Sequence, residues 1–295
     1  MFAITGITGN VGGELARTLL AAGKPVRAVV RDAAKGDTWA QLGCEIAVAD
    51  MNDAAAMAKG LNGAEGVFIL FPPVFDPSPG FPEARAFAAN LKHGLETARP
   101  GKVVYLSTIG ADSPRENLLT QHTIIEQELK GLALPITFLR PAWFMENAIW
   151  DVAPARERGL VPSFLQPLDR AVPMVATADI GRLAAELIQE SWAGSRVVEL
   201  EGPQRITPNE IAVSLSRLLG HRVTMEVVPR ETWEPQFLSQ GMKNPMPRIQ
   251  MLDGFNQGWI EFKNGASSSR KGKTGLETVL KGLIERVSLA AAGAL

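Results

Sequence analysis

Thr5-Gly6-Ile7-Thr8-Gly9-Asn10-Val11-Gly12 follows directly on the short apolar run Phe2 to Ile4. It opens a segment in which Val11, Leu15, Leu19 and Leu20 recur at helical spacing. Strand, glycine turn and helix in that order read as a dinucleotide-binding unit. Its glycines let the chain turn tightly, bring backbone N–H groups up to a pyrophosphate, and allow the helix to pack close to the sheet. Gly23 stands where that helix should stop. Gly6, Thr8, Gly9, Asn10, Val11 and Gly12 are therefore the expected cradle.

Pro25 to Val30 reads as the second strand, with Arg31 at its C-terminal end. NAD-specific sites usually carry an acidic residue there for the ribose 2′-hydroxyl. A planar guanidinium suits a 2′-phosphate instead and can stack on adenine. NADP(H) is thus the preferred cofactor, and Asp32, one residue later, leaves NAD(H) possible.

Strand and helix signals alternate onward. Cys44 to Ala49, Val67 to Phe71, Val103 to Ser107 and Ile136 to Leu139 read as further strands, and Pro82 to Ala98 as a long helix. Repeated βα units imply an α/β chain with a Rossmann-type doubly wound parallel sheet. Ligands to such sheets bind beyond the carboxyl ends of the strands, which adds Asp50, Met51, Phe71, Pro72, Ser107 and Thr108 to the candidate cofactor site. Asp50 either borders the adenine or caps a helix starting near Asn52. The proline-stiffened loop after Phe71 either walls the cleft or reverses the chain. Ser107 and Thr108 either offer hydroxyls near the nicotinamide or its ribose, as the sheet rule favours, or end a strand.

Past Pro141 this rhythm breaks. Large side chains cluster from Trp143 to Trp150, and Arg156 to Phe164 and Trp233 to Trp259 fit no βα pattern. The expected division is a nucleotide-binding domain of residues 1–141 and 171–200 and a smaller, discontinuous α/β substrate domain of residues 142–170 and 201–289, with 290–295 as a tail. Phe75, Trp143 and Phe144 are the candidates for the acceptor pocket. Thr207 is the expected N-cap of an ordinary amphipathic helix from Pro208 to Leu219.

Composition excludes several classes. A net charge of −1 and a pI of about 6.4 argue against a nucleic-acid partner. Arg270-Lys271-Gly272-Lys273, following Ser267 to Ser269, reads as a mobile, solvated loop. Cys44 is the sole cysteine, so no intrachain disulfide forms; it reads as a small core residue. That and the absence of a signal peptide point to the cytoplasm. No apolar run approaches the roughly 20 residues of a membrane helix. His93, His122 and His221 lack metal-ligand spacing, so no metal site is expected.

The opening motif, Arg31-Asp32, Gln121-His122-Thr123-Ile124-Ile125-Glu126, Ile136 to Asn147 and Lys273 to Leu280 resemble the NmrA-like family of atypical short-chain dehydrogenases/reductases. Asp179-Ile180-Gly181 resembles the family's start of a helix packed back on the nucleotide domain. Within the family the His122 pattern is most similar to the quinone reductase and triphenylmethane reductase group. The resemblance implies an NAD(P)H-binding oxidoreductase acting on a small planar acceptor. Other members are NADP-binding redox sensors, which implies a protein partner in that alternative. The oligomeric state, monomer or dimer, stays open.

Ordinary short-chain dehydrogenases use a Tyr-x-x-x-Lys pair, in which Lys lowers the Tyr pKa for proton transfer. Tyr105 is the only tyrosine here and is followed four residues later by Ile109. Aligned through Glu126, the Lys position holds His122 and the Tyr position Leu118. Hydride transfer to a quinone or conjugated cation demands less, namely proximity, orientation and an apolar cover. His122 is the expected catalytic residue, bonding the carboxamide or ribose or donating to a quinone oxygen, in either protonation state near neutrality. The plain alternative is a structural histidine at a helix surface.

Overall fold

The apolar strands have no polar face to give to water. β1 (Phe2–Thr5), β4 (Gly66–Leu70), β5 (Val103–Leu106) and β6 (Ile136–Pro141) are buried almost throughout, as parallel strands covered on both faces must be. The computed structural model describes residues 1–292. Among these, eight parallel strands form one sheet in the order β3 (Glu45–Val48), β2 (Val26–Val30), β1, β4, β5, β6, then Ser195–Glu201 and Arg270–Lys271. The order reverses between β1 and β4, the switch point where such sheets bind ligands.

Successive side chains on a strand point to opposite faces, and the core divides accordingly. Ile4, Phe68 and Val104 pack with α1 (Asn10–Ala21) and α7 (Thr177–Gln189). Ala3, Val67, Ile69 and Tyr105 pack with α3 (Ala54–Leu61), α4 (Pro82–Ala98) and α5 (Thr120–Leu129). The short α2 (Asp37–Gln41) follows β2. α1 and α7 approach closely at Gly181, where a Cβ would lie 2.6 Å from the Glu14 Cβ and 2.8 Å from the Val11 carbonyl oxygen. The second half adds α6 (Ile149–Arg158), α8 (Pro208–Leu219), α9 (Trp233–Ser239), α10 (Met246–Gln257) and α11 (Leu276–Ala292). Thr207 caps α8 in a capping box with Glu210.

Arg270-Lys271 is exposed but is not a loop. It forms the edge strand beside Leu200 and Glu201, and the Lys271 ammonium pairs with the buried Glu201 carboxylate, which Arg205 also contacts. A buried carboxylate requires such partners, and a local reading of composition does not reveal it. Beyond this strand, the Thr274 N–H donates to Asp179 at 2.8 Å and anchors the start of α11 to α7. Of the supposed tail, residues 290–292 continue α11, and residues 293–295 lie outside the described residues.

Candidate active site

The cradle is built from backbone. Gly6 adopts φ 63°, the Gly9 N–H donates to the Gly6 carbonyl at 3.0 Å, and a Cβ at Gly12 would stand 2.4 Å from that same carbonyl oxygen. No side chain caps α1, and its first turn carries no acidic residue. Its leading N–H groups and the positive end of the helix dipole are therefore free for an anion. Thr8, Gly9 and Asn10 are exposed beside them, and Val11 is buried under the turn. These residues fit the pyrophosphate of a dinucleotide.

Arg31 is exposed at the end of β2. The Asp32 carboxylate accepts from the Ala34 N–H at 3.1 Å and caps the short 3-10 helix that follows, which occupies it locally. Asp50, also exposed, accepts from the Asn52 N–H and Nδ2 at 2.9 and 3.1 Å. It is not a helix cap: α3 begins at Ala54, and Asp53 caps it. Met51 is buried next to it.

Thr5 Oγ1 donates to the Phe68 carbonyl and accepts from the Leu70 N–H, tying the end of β1 to the end of β4. A Cβ on Gly6 would touch Leu70 at 3.3 Å, and Leu70 also lines a cavity of about 850 Å³. The cradle and the cavity thus share a wall. Phe71, Ser107, Thr108 and His122 line the cavity from the sheet side, and Trp143 and Phe144 from the second half. Phe75 lines it too, at 64% exposure, whereas Pro72 faces solvent and does not line it. Trp143 is held edge-on to Phe255 with ring centroids 5.1 Å apart.

His122 is fixed by Tyr105. The Tyr105 hydroxyl lies 2.8 Å from His122 Nδ1. Burial, reinforced by Glu126, raises the Tyr105 pKa well above the usual 10, so the phenol keeps its proton, and with Nδ1 its only hydrogen-bond partner among the described residues it donates there. Nδ1 must then accept, leaving the proton on Nε2. Burial pulls the His122 pKa from 6.5 down to about 4, against the opposing charge of Glu126. The expectation of two protonation states near neutrality is corrected: the imidazole is neutral and held in one tautomer. The ring is half-buried, with Phe71 packed edge-on to it at 5.9 Å.

Ser107 is committed elsewhere. Its hydroxyl donates to buried Glu126 at 2.6 Å, and Arg140 grips the same carboxylate through Nε and Nη2 at 2.9 and 2.7 Å. Ser107 therefore has only an acceptor lone pair for a cofactor, and Thr108 is the hydroxyl with its proton free of that network. Tyr105 and Ser107, two apart on one strand face, meet His122 and Glu126, four apart on one helix face. That matched periodicity was readable in the sequence, where Tyr105 registered only as the wrong tyrosine. Asp151 was also missed. It lines the cavity in the first turn of α6, and burial pushes its carboxyl up to about 7. No motif marks it.

No group of three or more potential metal ligands occurs among the described residues. No described helix is long and apolar enough to cross a membrane.

Known proteins resemble the chain across most of its length. An NAD(P)H azoreductase of Xenophilus azovorans is 28% identical over 247 residues, covering 82% of both chains. A (4-alkanoyl-5-oxo-2,5-dihydrofuran-3-yl)methyl phosphate reductase of Streptomyces griseus subsp. griseus is 30% identical over 271 residues, covering 91% of this chain and 89% of the relative. Quinone oxidoreductase 2 of Escherichia coli is 26% identical over 244 residues, with 82% of each chain covered. The NADPH complex of an NADPH-dependent quinone oxidoreductase from that organism shares the fold at a TM-score of 0.79 and 24% identity, covering 96% of this chain and 99% of that one. Residues 1–261 match the NmrA-like family, and the chain belongs to it.

Proposed function

We propose that this protein is an NADPH-dependent reductase of quinone-like or other conjugated, planar acceptors. The observation that carries the reading is the shared wall at Leu70, which sets a dinucleotide cradle against an apolar cavity containing a neutral, tautomer-locked histidine. When bound, the reduced nicotinamide supplies the hydride. Gly6 to Gly12 hold the pyrophosphate, Arg31 the 2′-phosphate, and Thr108 the nicotinamide ribose. Asp50 and Met51 border the adenine, and Phe71 borders the nicotinamide. His122 presents Nε2–H to the acceptor oxygen or nitrogen, where a preorganised donor stabilises developing negative charge. Phe75, Trp143 and Phe144 cover the acceptor and exclude water. In this arrangement residues 1–141 and 171–200 bind cofactor, and residues 142–170 and 201–289 close over it.

The names of the relatives support this. Azo compounds, quinones and conjugated furanones share a low-lying π system that accepts hydride without an alcohol's proton relay, which suits a chain lacking Tyr-x-x-x-Lys. NADPH oxidation across a panel of quinones, azo dyes and conjugated lactones tests it. Turnover with several acceptors is expected. NADPH binding with no turnover by any would overturn the reductase reading and turn attention to a redox sensor whose protein partner distinguishes NADPH from NADP⁺.

A further inference from the structure

The cavity is largely apolar, yet one of its walls carries a full charge. Arg248, in the first turn of α10, lines it without a carboxylate partner among the described residues. The guanidinium lies 4.5 Å from the ring centroid of Phe237, which stacks on Phe164 at 5.2 Å. Its only side-chain hydrogen bond among the described residues is a 3.8 Å contact from Nη1 to the Met242 sulfur. Burial alone depresses its pKa. Three other arginines that leave solvent behave differently: Arg140 has Glu126 and Asp112, Arg182 has Asp179 and Glu14, and Arg205 has Glu201 and Glu261. Each of those has a raised pKa.

Withdrawing a guanidinium from water is costly unless an anion replaces the lost hydration. Arg248 stands, moreover, at the positive end of a helix dipole, which disfavours a cation and favours a bound anion. The fork of N–H donors matches a carboxylate, sulfonate or phosphate bidentately. The other titratable groups lining the cavity are His122 and Asp151, and neither pairs with Arg248.

We propose that the cavity selects planar acceptors bearing an anionic substituent, which Arg248 binds while the conjugated part lies against His122 and the aromatic cover. The inference rests on the cavity being the acceptor site. Phe237 and Phe164 hold the guanidinium in place, so the anion meets a preorganised fork.

The test is calorimetric titration of the NADP⁺-loaded protein with naphthalenesulfonate and, as the neutral analogue, naphthalenesulfonamide. It is run on the wild type, Arg248→Met and Arg248→Lys, alongside turnover of naphthoquinone and naphthoquinone sulfonate. The wild type is expected to bind the sulfonate about tenfold or more tightly than the sulfonamide. Arg248→Met should abolish that preference while leaving the sulfonamide unaffected, and Arg248→Lys should retain part of it. Equal wild-type affinity for the two ligands, or a preference that survives in Arg248→Met, overturns the inference and leaves Arg248 as a packing partner of Phe237. The wild-type comparison needs no variant to fold. A sulfonate preference without turnover of either quinone would refute the reductase and keep the anion site. Turnover of both quinones without a preference would do the reverse.

Discussion

The cradle and the cavity meet at Leu70, yet they are encoded in opposite ways. The proposed cradle is contiguous, Thr5 to Gly12, and presents backbone N–H groups and glycines with no room for a Cβ. The cavity is assembled from side chains of β4, α5, Trp143-Phe144, α6 and α10, with no local spacing that announces them. Binding by backbone constrains neighbouring residues and leaves a motif. Binding by side chains constrains only their final positions.

Breaking the cradle should have the largest effect. Gly12→Ala puts a Cβ against the Gly6 carbonyl at 2.4 Å, so the turn or the helix must shift. A loss of roughly 3 kcal/mol or more in stability, with NADPH affinity falling over a hundredfold, is expected from overpacking at backbone. Denaturant melts and calorimetry would check it; wild-type affinity would mean that the turn is not the cradle.

Arg31→Ala sharpens the cofactor side. It should weaken NADPH more than NADH by about 1.5 to 3 kcal/mol, the worth of a charge-assisted phosphate contact. Parallel titrations decide this, and equal weakening of both cofactors removes the 2′-phosphate assignment.

Within the cavity, Asp151→Asn tests a buried carboxyl whose pKa rises from 3.8 to about 7 on folding. Between those values the unfolded chain gives up a proton that the folded protein keeps, so the residue costs stability as pH rises and costs most above 7. The variant should gain about 2 kcal/mol at pH 8, discounted for the open cavity, and nothing near pH 4. An equal gain at both pH values would contradict the burial. His122 works in the other direction. Its lowered pKa supports the fold fully above 6.5 and loses that support as pH falls through about 4, so His122→Asn should flatten the acid limb of the stability profile.

Tyr105→Phe should have the smallest effect. Losing one hydrogen bond and the tautomer lock is expected to raise the kcat barrier by about 1 kcal/mol, roughly a fivefold loss of rate, with the NADPH Kd unchanged. A proportional loss of cofactor affinity would show that Tyr105 acts on packing instead.

The parallel sheet and the glycine turn are legible in the sequence because glycine spacing and apolar periodicity record local geometry, whereas the strand order that sets the switch point is not. Pro82–Ala98 as a helix and Thr207 as its cap-bearing counterpart before α8 were legible for the same reason. That the Ser107 hydroxyl donates to Glu126 is not legible, because Glu126 lies 19 residues along the chain and is paired to Arg140. Arg270-Lys271 reads as a loop because the buried Glu201 that recruits Lys271 comes from another strand. His122 is singled out by its position in a motif, but its neutral state comes from burial and its orientation from Tyr105, neither of which spacing encodes.

The most direct test of the central claim is a single turnover. Protein loaded with one equivalent of NADPH is mixed rapidly with benzoquinone, and the loss of reduced-nicotinamide absorbance is followed against free NADPH with the same quinone. A decay much faster than that of free NADPH, and slowed by His122→Ala, is the predicted result. Oxidation no faster than in free solution would contradict the account.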